Sequence, residues 1–166
     1  VEALGMLFRT PTAVWITLAF TGYVFVNNAY LVWAPSFVGD KFQLSLGAAG
    51  GCSMLYYYLA ATIGAIIGGP VSDAMVAARP TFRLEFQAFA LLLGIPAILW
   101  MGFAATLSAT LAAMAAAGLA GGVYSANIHA ALFDVIAPRY RASAVAMMTT
   151  VAFLIGSTSP WLLGHC

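Results

Sequence analysis

The sequence predicts an all-α membrane protein with five transmembrane helices, and the first evidence for this class is its composition. The 166 residues include only six Lys and Arg and five Asp and Glu, which is 7% of the chain, whereas 63% are hydrophobic. About one quarter of the residues in an average soluble domain are charged. The composition therefore excludes a disordered chain, a nucleic-acid-binding protein and an ordinary soluble enzyme.

The charged residues occur in clusters, and the intervals between the clusters predict the helices. A helix needs about 20 apolar residues to cross about 30 Å of hydrocarbon. Three of the charge-free intervals each accommodate one helix, and the longest accommodates two with a turn near residues 105–108. These intervals are residues 10–39, 42–72, 86–133 and 142–166. The predicted helices cover approximately residues 11–34, 46–71, 84–103, 108–133 and 143–163.

Several residues near the predicted helix ends have suitable local chemistry. Thr10 and Ser45 can cap the first and second helices, because their side-chain oxygens can accept hydrogen bonds from the free N–H groups of the first turn. Pro35 is expected to mark the end of the first helix, since proline interrupts helical hydrogen bonding. Pro96 and Pro160 lie inside the third and fifth predicted helices, and we expect each to introduce a kink.

The distribution of basic residues predicts the orientation in the membrane. Five spans place the N-terminal segment and the loops at 73–85 and 134–141 on one side of the bilayer, and Lys41 is the only basic residue on the other side. Cytoplasmic loops carry an excess of Lys and Arg. We therefore expect the N-terminus in the cytoplasm and the C-terminal end outside, in a cell membrane. The five basic residues on the predicted cytoplasmic side are Arg9, Arg79, Arg83, Arg139 and Arg141.

Two motifs in these loops point to a family. Gly69 and Asp73 form a G-x-x-x-D motif at the end of the second helix, and Asp134 is followed after six positions by Arg141 beyond the fourth helix. With the five-helix pattern, these motifs resemble the C-terminal half of a major facilitator superfamily transporter. The resemblance implies that residues 1–166 form a partial bundle, equivalent to helices seven to eleven of a twelve-helix fold, with the N-terminal half and the last helix absent. It also implies that these four residues belong to a cytoplasmic gate.

The first motif departs from the pattern of that family. Basic residues directly after the Asp are typical of the family, but Ala74, Val76 and Ala77 occupy this stretch. The only basic residues that can replace those of the family are Arg79 and Arg83, which lie further along the chain. The runs Trp33-Ala34-Pro35 and Ala142-Ser143-Ala144 resemble the spinster-like or anion:cation symporter branches.

Polar residues within the spans are the candidates for a substrate pathway. Apart from Glu85 in the first turn of the third predicted helix, no Asp, Glu, Lys or Arg lies inside a predicted helix, so we expect the ion-coupling group of the parent protein to lie outside this chain. Substrate sites of transporters lie near the bilayer midplane. The candidates there are Tyr23, Asn27, Tyr57, Tyr124 and Asn127. Hydrogen bonding between helices is the alternative role for each, and for the two Asn residues the two roles are about equally favoured.

Small residues at helical spacing predict close contact between helices. A G-x-x-x-G pattern allows two helix backbones to approach each other within a membrane. Three such pairs occur in the second and fourth predicted helices. They are Gly47 with Gly51, Gly64 with Gly68, and Gly118 with Gly122.

These features favour secondary active transport of a small organic solute by alternating access, as a symporter or antiporter, and not an enzyme. A structural membrane subunit without transport activity is an alternative. An intramembrane enzyme is a weaker one, because Ser125 and His129 lack an orienting acid. The two cysteines, Cys52 and Cys166, predict neither a metal site nor a disulfide framework, and no cofactor is expected. The expected partners are the lipid bilayer, the solute and the missing half of the transporter.

Overall fold

A computed structural model describes residues 10–165, so Glu2, Arg9 and Cys166 lie outside the described residues. The described part contains six α-helices, one short 3₁₀ helix and no β-strand. The helices are α1 (Pro11–Phe42), α2 (Leu46–Val76), α3 (Phe82–Phe103), α4 (Leu107–Val135), the 3₁₀ helix (Pro138–Tyr140), α5 (Arg141–Gly156) and α6 (Ser159–Leu163).

Five segments of the described chain are long and apolar enough to cross a membrane, as the sequence predicts. They are α1 to α4 and the stretch Pro138–Leu163. The helices are longer than the charge-free intervals suggest. With 32 residues, α1 extends about 48 Å at 1.5 Å per residue, which exceeds the hydrocarbon thickness of about 30 Å. The charged residues Asp40 and Lys41 therefore belong to its last turn and not to a loop.

The prediction that Pro35 marks the end of the first helix is wrong, because α1 continues through Pro35 to Phe42. A proline inside a helix removes one backbone hydrogen bond, and the remaining bonds can keep the helix continuous. The actual end has a different chemistry. Gln43 adopts a left-handed conformation with φ of 55°, and the N–H of Leu44 donates to the carbonyl of Gly39 at 3.0 Å. This is the pattern of a Schellman-type helix end.

The fifth span is interrupted instead of kinked. The helix predicted at 143–163 is divided into α5, a turn at 157–158 and the short α6, with Pro160 in the first turn of α6. Proline has no N–H group, and it suits the first turn because the N–H groups of that turn have no acceptor within any helix. Two other ends follow the prediction: Ser45 Oγ accepts from the N–H of Ala48 at 3.4 Å, and α3 and α4 are separated by a turn at 104–106.

The chain divides into two compact units. The described parts of Val1–Trp33 and Ile128–Cys166 form unit 1, which contains most of α1, the end of α4, α5 and α6. Ala34–Asn127 forms unit 2, which contains the end of α1, α2, α3 and most of α4.

Close packing of α2 against α4 in unit 2 depends on two of the predicted glycine pairs. A Cβ atom added to Gly64, Gly118 or Gly122 would collide with a backbone carbonyl oxygen of the facing helix. A Cβ at Gly68 would lie 2.9 Å from the Cα of Val123, which is also too close. Both pairs thus lie in a backbone-to-backbone crossing, which agrees with the prediction.

The third predicted pair behaves differently. Among the described residues, nothing lies within 4 Å of a Cβ atom placed on Gly47 or Gly51. The close helix contact expected at this pair is therefore not found in the described part of the chain.

Candidate functional site

The polar residues of unit 2 meet where α2 ends and α3 begins. Asp73 lies in the last turn of α2, and Arg83 is the second residue of α3. Arg83 Nη2 donates to Asp73 Oδ1 at 2.9 Å. Arg83 thus provides the positive charge that is missing directly after the G-x-x-x-D motif.

Arg83 also connects this ion pair to α4. Its Nη1 donates to Asn127 Oδ1 at 3.4 Å. Asn127 Nδ2 in turn donates to the carbonyl oxygen of Gly68 on α2 at 3.2 Å and to that of Val123 on its own helix at 2.9 Å. We refer to Asp73, Arg83, Asn127 and the Gly68 carbonyl as the polar cluster. It joins three helices through side-chain hydrogen bonds.

The two charged groups of the polar cluster differ strongly in exposure. The side chain of Arg83 is 10% exposed, whereas that of Asp73 is 67% exposed. A buried guanidinium needs a counter-charge and hydrogen-bond acceptors, because burial without them is costly. The carboxylate of Asp73 is already largely hydrated, so it can leave the pair and enter water, whereas Arg83 would stay buried without its counter-charge. The pair can therefore break and re-form on the side of Asp73.

A second ion pair stabilises the connection between α2 and α3. Arg79 Nη2 lies 3.0 Å from Glu85 Oε2, and Thr81 Oγ1 donates to Glu85 Oε1 at 2.8 Å. The side chains of Arg79 and Glu85 are 62% and 49% exposed, so water screens this pair and its contribution to stability is small. Of the two arginines considered as replacements in the motif, only Arg83 pairs with Asp73.

The second motif lies in unit 1. Arg141 Nη2 donates to the backbone carbonyl of Phe133 at 2.9 Å, and its guanidinium lies 5.3 Å from the Phe133 ring. A cation that binds a carbonyl in the last turn of a helix stabilises that helix end. Asp134 is exposed, whereas Gly69 of the first motif is half-buried, with no atom of another residue within 4 Å of a built Cβ.

The five pathway candidates differ in their surroundings. Tyr23 and Asn27 are half-buried on α1, whereas Tyr57 and Tyr124 are buried. Asn127 is completely buried and bonded within the polar cluster. Its amide has protein partners and no exposed surface, which favours the alternative of hydrogen bonding between helices, and the pathway role of Asn127 stays a prediction.

Sequence reasoning missed the inward position of Arg83, because the predicted third helix begins one residue after it. One signal was available. Arg83, Gln87 and Ala90 recur at spacings of four and three, which place them on one face of a helix. All three are buried in the structure. Two polar residues and a small residue on one helix face predict that this face is buried. The charged and charge-free intervals used to place the helices do not give this information.

Five spanning segments define a multi-pass integral membrane protein. Within the described residues, no three His, Cys, Asp or Glu side chains are grouped so that they could hold a metal ion. The family model of the Major Facilitator Superfamily matches residues 1–160, and the chain belongs to this superfamily of membrane transporters. No curated protein and no solved structure was found to match the chain.

Proposed function

We propose that this chain is part of a secondary transporter that moves a small organic solute across a cell membrane by alternating access. In this proposal it contributes helices seven to eleven of a twelve-helix fold, and the parent protein supplies the N-terminal half and the last helix. The superfamily match and the five spans support the general role. The observation that carries the mechanism is the polar cluster, which places the Asp of the family motif against a buried Arg.

The polar cluster acts as a gate lock in this mechanism. With Asp73 bound to Arg83, the end of α2 and the start of α3 are connected to Asn127 of α4 at this side of unit 2. Release of Asp73 into water leaves Arg83 held by Asn127 and frees the end of α2. The lock thus favours one of two conformations, and a solute that binds the other conformation more tightly shifts the balance. Gly69, Asp134 and Arg141 act at the same side of the membrane.

The orientation follows from the basic residues. The end of unit 2 with the polar cluster faces the cytoplasm, because it carries Arg79 and Arg83. At the other end Lys41 Nζ donates to the carbonyl of Gly102, in the last turn of α3, at 2.8 Å. Lys41 keeps its charge in this bond, but it is one basic residue at this end of unit 2 against the two arginines at the other. The N-terminus is then cytoplasmic and the C-terminal end is outside.

The solute pathway involves Tyr23 and Asn27 of α1, with Tyr57 and Tyr124 as further contributors. The half-buried phenol and amide groups of α1 lie beside exposed positions of that helix such as Gly22 and Val26. Neutral donors and acceptors of this kind fit the hydroxyl and carbonyl groups of a small organic solute.

The gate lock is tested in the full-length transporter with charge-reversed variants. We expect Asp73→Lys to shift the labelling of engineered cysteines toward the conformation open to the cytoplasm, and the exchanged pair D73R/R83D to restore part of the original balance. The matched control is R79E/E85R, which exchanges the exposed pair across the same turn and should change nothing. If D73K leaves the labelling unchanged, the polar cluster is not a gate lock.

A further inference from the structure

Two buried polar atoms next to the polar cluster have no hydrogen-bond partner within the described part of the chain. They are the hydroxyl oxygen of Ser72 and the amide nitrogen Nε2 of Gln87. Ser72 is 0% exposed and Gln87 is 4% exposed, so bulk water does not reach either side chain. A buried polar group without a partner is costly, and most such groups in proteins are satisfied by protein atoms or by ordered water.

Both residues are buried in unit 2, in the layer of the helices that lies within one turn of the polar cluster. Ser72 follows Gly68 by one turn on the inward face of α2, and Gln87 follows Arg83 by one turn on the inward face of α3. A helical serine often donates to the carbonyl four residues earlier. The Gly68 carbonyl, which is that acceptor, accepts from Asn127 at 3.2 Å, and the Ser72 hydroxyl makes no hydrogen bond to it. The hydroxyl of Ser72 therefore remains available inside the helix bundle.

We infer that an internal water molecule binds in this layer and bridges Ser72 Oγ and Gln87 Nε2. Gln87 Nε2 donates to the water oxygen, and the water and the Ser72 hydroxyl share a second hydrogen bond in which either can donate. The charge of Arg83 is already balanced by Asp73. A bound chloride or sodium ion would add an unbalanced charge to this buried layer, so a neutral ligand fits better.

The bound water can exchange hydrogen bonds with the polar cluster, whatever solute the transporter carries. The water lies within one helical turn of Arg83 and Asp73, and ordered water can take over a hydrogen bond at small cost. It provides a replacement donor or acceptor when Asp73 leaves Arg83. This inference rests on the packing of unit 2 and would stand if the chain had no transport activity.

A double-mutant cycle on the full-length protein in detergent tests the shared water. The variants are S72A, Q87M and S72A/Q87M, and the measurement is the midpoint temperature of thermal unfolding. We expect each single variant to lower the midpoint by a few degrees, and the double variant to lower it no further than the more severe single variant. The reason is that the first substitution already removes the water.

Ser53 supplies the matched control. It is a fully buried serine of the same helix, and its hydroxyl donates to the carbonyl of Gly50 at 3.2 Å. The effects of S53A and Q87M should simply add. If S72A and Q87M also add, or if both leave the midpoint unchanged or raise it, no water bridges the two side chains.

A high-resolution density map of the full-length protein gives the second readout. A single peak within hydrogen-bonding distance of Ser72 Oγ and Gln87 Nε2 supports the inference. A peak with an anomalous signal after exchange of chloride for bromide would identify an anion and overturn the assignment to water. An empty layer at a resolution that shows other internal waters would overturn it as well.

Discussion

At the scale of single residues, exposure determines which partner of the Asp73–Arg83 pair is fixed. The guanidinium of Arg83 is almost enclosed and has two acceptors on two other helices, Asp73 Oδ1 and Asn127 Oδ1. The carboxylate of Asp73 is mostly in water. Arg83 is therefore part of the packed structure, whereas Asp73 can exchange between its partner and the solvent.

Neutralisation of Asp73 should destabilise the protein through Arg83. D73N keeps the shape of the side chain but removes the counter-charge of a buried cation. A fully buried pair would lose about 3–5 kcal/mol, and the exposure of Asp73 reduces our expectation to about 1–2 kcal/mol of unfolding free energy. Denaturant unfolding in detergent measures it. E85Q, which breaks the exposed Arg79–Glu85 pair, is the control and should cost less than about 1 kcal/mol. Equal effects of the two variants would contradict this prediction.

Two asparagines that the sequence treats alike should respond differently to substitution. N127A removes the bonds to Gly68 and Arg83 and leaves buried groups without partners, at a cost of about 1–3 kcal/mol, so we expect less folded protein in the membrane. N27A should leave membrane abundance normal and reduce uptake. Abundance by immunoblot and transport in vesicles separate the two effects. Normal abundance of N127A with no uptake would contradict this difference and support a role of Asn127 in the solute pathway.

At the scale of the helices, the crossing of α2 and α4 is the contact that glycine makes possible. Gly64 and Gly68 of α2 face the backbone of α4, and Gly118 and Gly122 of α4 face the backbone of α2, so backbone lies against backbone. Lipid tails are as apolar as Leu or Val, so burial of apolar side chains drives helix association in a membrane only weakly. Close van der Waals packing therefore supplies much of the attraction, and small residues allow it.

A methyl group in this crossing should force the helices apart. In G118A the new Cβ meets the backbone carbonyl of Tyr57, which cannot move away as a flexible side chain would. We expect a loss of about 1–3 kcal/mol, typical of an overpacked core, measured as a lower unfolding midpoint in detergent. G47A is the matched control, because no described atom lies within 4 Å of its Cβ, and alanine should be neutral or slightly stabilising in a helix. A neutral G118A would contradict the close crossing.

At the scale of the whole molecule, the helices are long enough to extend beyond the hydrocarbon, and most of the described charges lie in their end turns. Asp40, Lys41, Asp73, Arg83 and Asp134 all belong to helices. Charges at these positions reach water or a partner near the membrane surface, so they do not have to be placed in loops. A helix in this protein can therefore continue past its apolar stretch, as α1 does through Asp40 and Lys41.

The proposed orientation predicts which turns are accessible from outside the cell. In full-length protein with Cys52 and Cys166 replaced by Ser, we introduce A78C in the turn after α2 and A105C in the turn after α3, both at exposed positions. A membrane-impermeant maleimide should label A105C in intact cells and A78C only after permeabilisation. The two variants are the same substitution at opposite ends of α3, so they control for each other. The reverse labelling would overturn the orientation.

The sequence by itself determines the class of protein, the number of spans and most helix ends. These features depend on local properties: stretches without charge, a cap at Ser45 and a turn before α4. A spanning helix satisfies its own backbone hydrogen bonds, so its existence follows from its own residues. Local rules failed at Pro35 and at the break after Gly156, where the loss or rearrangement of one or two backbone bonds is balanced by the surrounding residues.

Only the tertiary structure decides how the polar and small residues are paired. The sequence shows Asp73 and Arg83 as neighbours in a charged loop, but it does not show that Arg83 points inward to Asn127, 44 positions away. It shows three glycine pairs, of which two meet a facing backbone. Such contacts depend on the rotation and spacing of helices about their axes, and residues far apart in the chain set both. The cluster proposed as a gate lock is therefore a property of packing, although each of its residues is visible in the sequence.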